Sequence, residues 1–128
     1  MPRFAAFRVG PRTLAIDVDH ILGFTREPVW TRLPGARPGV VGICNWRGEV
    51  CPLVDMGQLM GVEGSGGPWA CVTASGAGMM AILADSVIGL EHGEPTPVDE
   101  DVFSGTYAAD DGERFVLSLE EVARLCAT

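Results

Sequence analysis

The sequence predicts an all-β fold of two small barrels around a shared apolar core, closed by one short C-terminal helix. Three observations predict it. The chain breaks into many short apolar or alternating segments divided by turn signals. Gly and Pro, 17 and 9 of 128 residues, make up about a fifth of the chain. Ten or so strands are too many for one small barrel, and 47% hydrophobic residues supply enough apolar surface for a core.

The elements follow in order. Phe4 to Val9 leads through the Gly10-Pro11 turn into Thr13 to Val18, where Leu14, Ile16 and Val18 alternate with more polar neighbours. His20 to Phe24 continues or follows that strand. Leu33 to Gly39 is a stiff loop with two Pro and two Gly. Two strands, VVGICN and EVCPLVDM, flank the turn NWRG. Pro52 lacks an N–H, so it belongs at a sheet edge or bulge. Asp55 to Gly61 reads as one short helical turn. WACVTA and MMAILADSVIGLEH flank Ser75 to Gly78 as a hairpin, and GEPTPVDED is a second loop. FSGTYAA and RFVLSL flank Asp110-Asp111-Gly112-Glu113, a hairpin signal. Ser118 with Glu121 three residues on has capping-box spacing, and Leu119, Val122, Ala123 and Cys126 give a helical apolar face. The whole of 1–128 reads as one domain. Gly61 to Gly67 divides lobe one, mainly 13–62, from lobe two, mainly 68–117, with the N-terminal strand crossing over and the helix at 118–126. No internal repeat is legible.

Composition excludes several chemistries. All nine basic residues are Arg. A phosphate-loop lysine, a Schiff-base lysine and a lysine general base are therefore absent. His20 and His92 are the only histidines, and no nucleophile-elbow motif is present. No catalytic constellation is expected. Net charge is -8 and the pI about 4.5, which disfavours nucleic acid and anionic membranes. Residues 1–62 carry seven Arg and five acids, and residues 63–128 two Arg and twelve acids. Two faces of different charge suit docking to protein partners.

No signal-peptide pattern and no membrane-length apolar run is visible, so a cytoplasmic protein is expected. Cys44, Cys51, Cys71 and Cys126 fit no Cys-x-x-Cys spacing and read as buried, reduced thiols. Asp17 and Asp19, two apart on a strand, and the loop Asp99-Glu100-Asp101 lack a metal-ligand ladder. No metal and no cofactor is expected.

The turn Asn45-Trp46-Arg47-Gly48 is the most specific local feature. Asn45 and Gly48 suit unusual backbone angles. Trp46 at a tight turn packs either across a lobe boundary or onto a partner. Arg47 between apolar strands either braces one lobe on the other or binds a partner, and the two can coexist.

The segments LAIDVDHILGF and LPGARPGVVGICNWRGEVCPLVDM, followed by MMAILADSVIGLEH and the closing hairpin and helix, resemble the CheW family. The family comprises the adaptors of bacterial chemosensory arrays. The spacing Asn45, Arg47, Gly48, Pro52, Asp55 carries the resemblance, which covers essentially the whole chain. It implies two five-stranded SH3-like barrels around a shared core and no catalysis. It also implies two partners, the cytoplasmic tip of a methyl-accepting chemoreceptor and the regulatory domain of a CheA-type histidine kinase, at chemoreceptor clusters. By resemblance, the receptor groove would use Phe24, Arg47, Val50 and Met80, and the kinase-facing surface Ile21, Gly42 and Val87. Two positions depart from the pattern. Gly23 stands where the family usually has a Glu that pairs with the motif Arg, and Trp46 where it has Leu. An accessory adaptor that binds receptors but not kinase is the second reading, and a small-ligand-binding barrel the third.

Overall fold

The structure, a computed structural model, describes residues 1–33, 37–62 and 67–127. Parts of the expected Pro-rich loop (34–36) and Gly-rich linker (63–66) lie outside the described residues. The chain forms strands β1 (Arg3–Val9), β2 (Arg12–Asp17), β3 (Ile21–Arg26), β4 (Val29–Arg32), β5 (Val40–Trp46) and β6 (Glu49–Val54). Helix α1 (Met56–Met60) follows, then β7 (Trp69–Ser75), β8 (Gly78–Ala84), β9 (Ser86–His92), β10 (Thr96–Glu100), β11 (Phe103–Ala109), β12 (Gly112–Leu117) and helix α2 (Leu119–Cys126).

The twelve strands make two six-stranded sheets, which bear out the all-β, two-lobed reading with one strand more per lobe than five. The central lobe is ordered β3-β7-β8-β6-β5-β4, and the terminal lobe β10-β11-β12-β2-β1-β9. The lobe border is therefore at Asp85, not at 61–67. The hairpin β7–β8 belongs with β3–β6, and the whole hairpin β1–β2 crosses to the other lobe. The reason is topological. β8 lies between β6 and β7, parallel to β6. A tight turn cannot pass over an intervening strand, so the connection from β6 through α1 to β7 is a crossover inside one sheet. Asp85 fastens the border: its N–H donates to Arg8 O at 2.8 Å, and its Oδ2 accepts from Gly10 N at 2.7 Å.

Read from β3, the central lobe runs β3-β4-β5-β6-α1-β7-β8. Read from β9 and continued from the C-terminus to the N-terminus, the terminal lobe runs β9-β10-β11-β12-α2-β1-β2. The sheet orders match under this reading, and each contains one parallel pair, β6 with β8 and β12 with β2. The fold is an internal repeat, circularly permuted.

Side-chain alternation sets three apolar layers. Cys44, Cys51, Leu53, Ala70, Val72, Ala81 and Leu83 fill the central barrel. Phe4, Ala15, Tyr107 and Val116 fill the terminal one. The opposite sheet faces meet in the shared core, where Phe7, Leu14 and Ile16 of the terminal lobe pack with Val54, Cys71 and Ile82 of the central lobe. Phe7 and Phe24 meet edge-on across it, with ring centroids 6.2 Å apart.

Both helices start as their caps dictate. Asp55 accepts from Gly57 N and Gln58 N, and Gly61 ends α1 at φ 71°. Ser118 Oγ accepts from Glu121 N at 3.3 Å. The Glu121 carboxylate pairs with Arg124 at 3.0 Å instead of closing a capping box. Pro52 lies in an inner strand, but β6 pairs with β8 only at Leu53 and Val54, so at Pro52 that side is still a local edge. Asp17 and Asp19 do not share a strand. Asp17 Oδ1 accepts from Asp19 N and caps a single 3-10 turn over Val18–His20.

Among the described residues, the buried charged side chain is that of Arg114, in the terminal barrel. Arg114 is 3% exposed, with Nε 2.7 Å from Glu91 Oε1 and Nη2 2.8 Å from Asp111 Oδ1. Tyr107 donates its hydroxyl to the same Glu91 oxygen at 2.8 Å. These hydrogen bonds, Arg114 first, hold the Glu91 carboxyl below its ordinary range against burial.

Candidate partner-binding groove

On β8, Met80, Ile82 and Ala84 face the shared core, while Ala81 and Leu83 point into the barrel. On β6, Cys51 and Leu53 point inward, which turns Val50, Pro52 and Val54 to the lobe-facing side. Val54 is buried, Pro52 half-buried and Val50 67% exposed. The apolar face of the central sheet thus runs out of the core into solvent. Where it emerges, Ala123 and Cys126 of α2 face Ile43, Pro52, Met79 and Met80 across a cavity of about 310 Å³, with Leu33 and Arg37 also lining it.

The β5–β6 hairpin carries the motif turn just beyond Val50. Trp46 pairs with Glu49, and Arg47 and Gly48 between them have φ of 51° and 84°. Two positive φ values define the two-residue turn that matches strand twist. Asn45 Oδ1 accepts from Gly48 N at 3.2 Å. A left-handed Arg is unfavourable on sterics alone. Its guanidinium carbon lies 4.6 Å from the centre of the Trp46 ring, a cation–π contact that holds the side chain down. Arg47 is exposed at the hairpin tip, and the ring it rests on, Trp46, belongs to its own lobe.

The two departures from the family pattern fit each other. A Cβ on Gly23 would stand 3.1 Å from Trp46 Cζ2. Gly23 on edge strand β3 leaves room for the larger ring, which closes the barrel by packing where no ladder joins β3 to β5. Gly23→Leu is therefore expected to displace Trp46 and lower stability by about 1–3 kcal/mol. Thermal melts with indole fluorescence check this, and an unchanged Trp46 signal would refute the fit.

The structure groups the expected receptor residues loosely. Val50 and Met80 share the lobe-facing side, with Met80 buried and lining the cavity. Phe24 is on the same side, across β7 and β8, against Phe7. Arg47 lies at the hairpin end. The expected kinase residues are not one cluster. Ile21 on β3 and Val87 on β9 lie on the edge strands that adjoin the Phe7–Phe24 contact. Gly42 on β5 is buried under Trp30, and a Cβ there would collide with Thr31 O and the Trp30 ring. Sequence reading missed Leu22, Ile88 and Leu90, exposed apolar residues on those two edges. Strand alternation in SVIGLEH held the signal for Leu90, but not the knowledge that β9 is an edge.

Charge follows the lobes more sharply than it follows sequence halves. Residues 21–84 hold four Arg and four acids, whereas residues 1–20 and 85–128 hold five Arg and thirteen acids. The central sheet is neutral and the terminal lobe carries the full -8. Among the described residues, no cluster of three or more His, Cys, Asp or Glu could hold a metal. No described helix is long and apolar enough to cross a membrane.

Comparison with known proteins fits this architecture. A family model described as CheW-like domain matches residues 3–125. Protein FrzA of Myxococcus xanthus is 31% identical over 90 residues, 68% of this chain and 56% of that protein. Protein PilI of Pseudomonas aeruginosa is 33% identical over 57 residues, 44% of this chain and 32% of PilI. Chemotaxis protein CheW of Thermotoga maritima is 31% identical over 58 residues, 45% of this chain and 38% of that protein. The matches thus span roughly a third to a little over half of each relative. The crystal structure of scaffolding protein TtCheW from Thermoanaerobacter tengcongensis shares the fold, with a TM-score of 0.78 at 18% identity over 91% of this chain and 89% of that one. Two permuted six-stranded lobes, the N-W-R-G turn and a family match across nearly the whole length together mean that this chain belongs to the CheW-like domain family.

Proposed function

We propose that the protein is a non-catalytic adaptor that couples chemoreceptor cytoplasmic tips to a CheA-type histidine kinase. Its family is one of chemotaxis adaptors and scaffolds. The observation that carries the receptor half is the apolar face of the central sheet emerging uncovered at Val50 beside the 310 Å³ cavity. An amphipathic helix lays an apolar stripe into such a groove. Arg47, exposed and stacked on Trp46, donates to a partner carboxylate there. The kinase half rests on the β3 and β9 edges, where Leu22 and Leu90 extend the apolar seam around Ile21 and Val87.

Calorimetric titration with each partner separates the two halves. Val50→Glu is expected to weaken receptor binding at least tenfold, about 1.4 kcal/mol, and to leave kinase binding intact. Its melting temperature should barely move, because the side chain is two-thirds exposed. Leu90→Glu is expected to do the converse. Wild-type affinity for the receptor in Val50→Glu would refute the groove. The cover of Trp30 over Gly42 favours one narrower role, receptor binding without kinase, and a kinase domain that fails to titrate the folded wild type would select it.

A further inference from the structure

We infer that Cys44 and Cys51 form a peroxide-sensitive modification site, a dithiol that closes to a cross-strand disulfide inside the central barrel. Cys44 on β5 and Cys51 on β6 are direct cross-strand partners. Such partners have Cα atoms about 4.5–5.5 Å apart, within the range of about 4.4–6.8 Å that a disulfide accepts without backbone movement. Both side chains enter the same apolar cluster. The remaining cysteines are elsewhere, Cys71 in the shared core and Cys126 on α2.

The surroundings select the product. Burial raises both thiols, Cys51 to about 11, so thiolate is scarce and reaction slow. A sulfinate would place a charge in an apolar interior, whereas a disulfide is neutral. With Cys44 and Cys51 0% and 3% exposed, a small oxidant such as hydrogen peroxide fits the access better than a bulky disulfide.

The steps balance. The Cys44 thiolate attacks one peroxide oxygen. The O–O bond breaks, and Cys44 becomes a sulfenic acid as hydroxide leaves and takes up the proton to form water. Cys51 Sγ then attacks Cys44 Sγ, the S–O bond breaks and a second water leaves. Two thiols and one peroxide give one disulfide and two waters, with two electrons passing from sulfur to peroxide. The bridge fixes the hairpin that holds Trp46 and Arg47.

The test uses folded wild-type protein treated with hydrogen peroxide, followed by alkylation of the remaining thiols. Trypsin cuts after Arg47, so the two cysteines part into separate peptides unless bridged. The expected result is the loss of two hydrogens, a Cys44–Cys51 linked peptide pair that a thiol reductant separates, and alkylated Cys71. A Cys126→Ser variant should behave identically. Four alkylated thiols, linkage only in denaturant, pairing of Cys51 with Cys71 or Cys126, or oxidation beyond the disulfide would each overturn the inference.

Discussion

Replacing Phe7 by alanine is expected to destabilise the protein by about 3–5 kcal/mol. The side chain is fully buried, in the strand that pairs with both β2 and β9. Its ring meets Phe24 across the lobe contact. The substitution removes the transfer energy of an aromatic ring and opens a cavity between two sheets that cannot collapse independently. For a chain of this length the melting temperature should fall by roughly 10–20 °C. The effect reaches the site, because Phe24 loses the surface that holds it on the lobe-facing side. On the function proposed above, receptor binding should weaken along with stability. A melting temperature within two or three degrees of wild type, measured by circular dichroism, would mean that the two lobes do not depend on this contact.

Arg114→Met carries the second large effect, about 3 kcal/mol. The loss of one partner leaves the Glu91 carboxylate in a partly desolvated site without its main donor. Because Glu91 is itself 21% exposed, the lower end of the range for broken buried pairs applies. The pH dependence gives a sharper reading. In the wild type the Glu91 carboxyl is held below its unfolded value, chiefly by Arg114. The folded state therefore binds fewer protons there. Its contribution to stability is complete above the unfolded pKa and disappears as pH falls through the folded one. Without Arg114, burial first and then the nearby Asp111 push the carboxyl up, against the remaining hydrogen bond from Tyr107. The variant should then gain stability on moving from pH 7 toward 5, where the wild type gains none from this group. Melting curves at several pH values check the sign, and parallel profiles for the two proteins would count against the network. Glu91→Gln added to Arg114→Met should recover part of the loss.

Much of the architecture was legible because local signals and tertiary demands agree. Ser118, Asp55 and Gly61 bound the helices where their side chains and backbone freedom require. Asn45 and Gly48 make the turn their types suit. What stayed hidden needed three dimensions. The repeat is permuted, and its equivalent positions have diverged: register places Cys51 opposite Cys44 in one lobe where Arg114 faces Tyr107 in the other. Glycine richness and a change of charge at 61–67 resembled a border, although the strands on either side, β6 and β7, belong to one sheet. Gly23 and Trp46 looked like two unrelated departures, yet they are one packing exchange across a barrel seam. The exposure of Val50 follows from alternation with Cys51 and Leu53, but only once β6 is known to outrun the cover of α2.

The permuted order of the lobes also dictates an order of assembly. The central lobe is one continuous stretch of chain, so its sheet can close as soon as β8 has been synthesised. The terminal lobe has no such freedom. Its parallel ladder joins Thr13, Leu14 and Ala15 to Arg114, Phe115 and Val116, a separation of about a hundred residues. An isolated two-stranded hairpin is marginal in water, and contacts of such long range are slow to form. The hairpin β1–β2 is synthesised before the rest of its sheet, gains β9 as its first partner, and completes the sheet only after β12 exists. Between those moments a finished central lobe offers an apolar face that can shelter it.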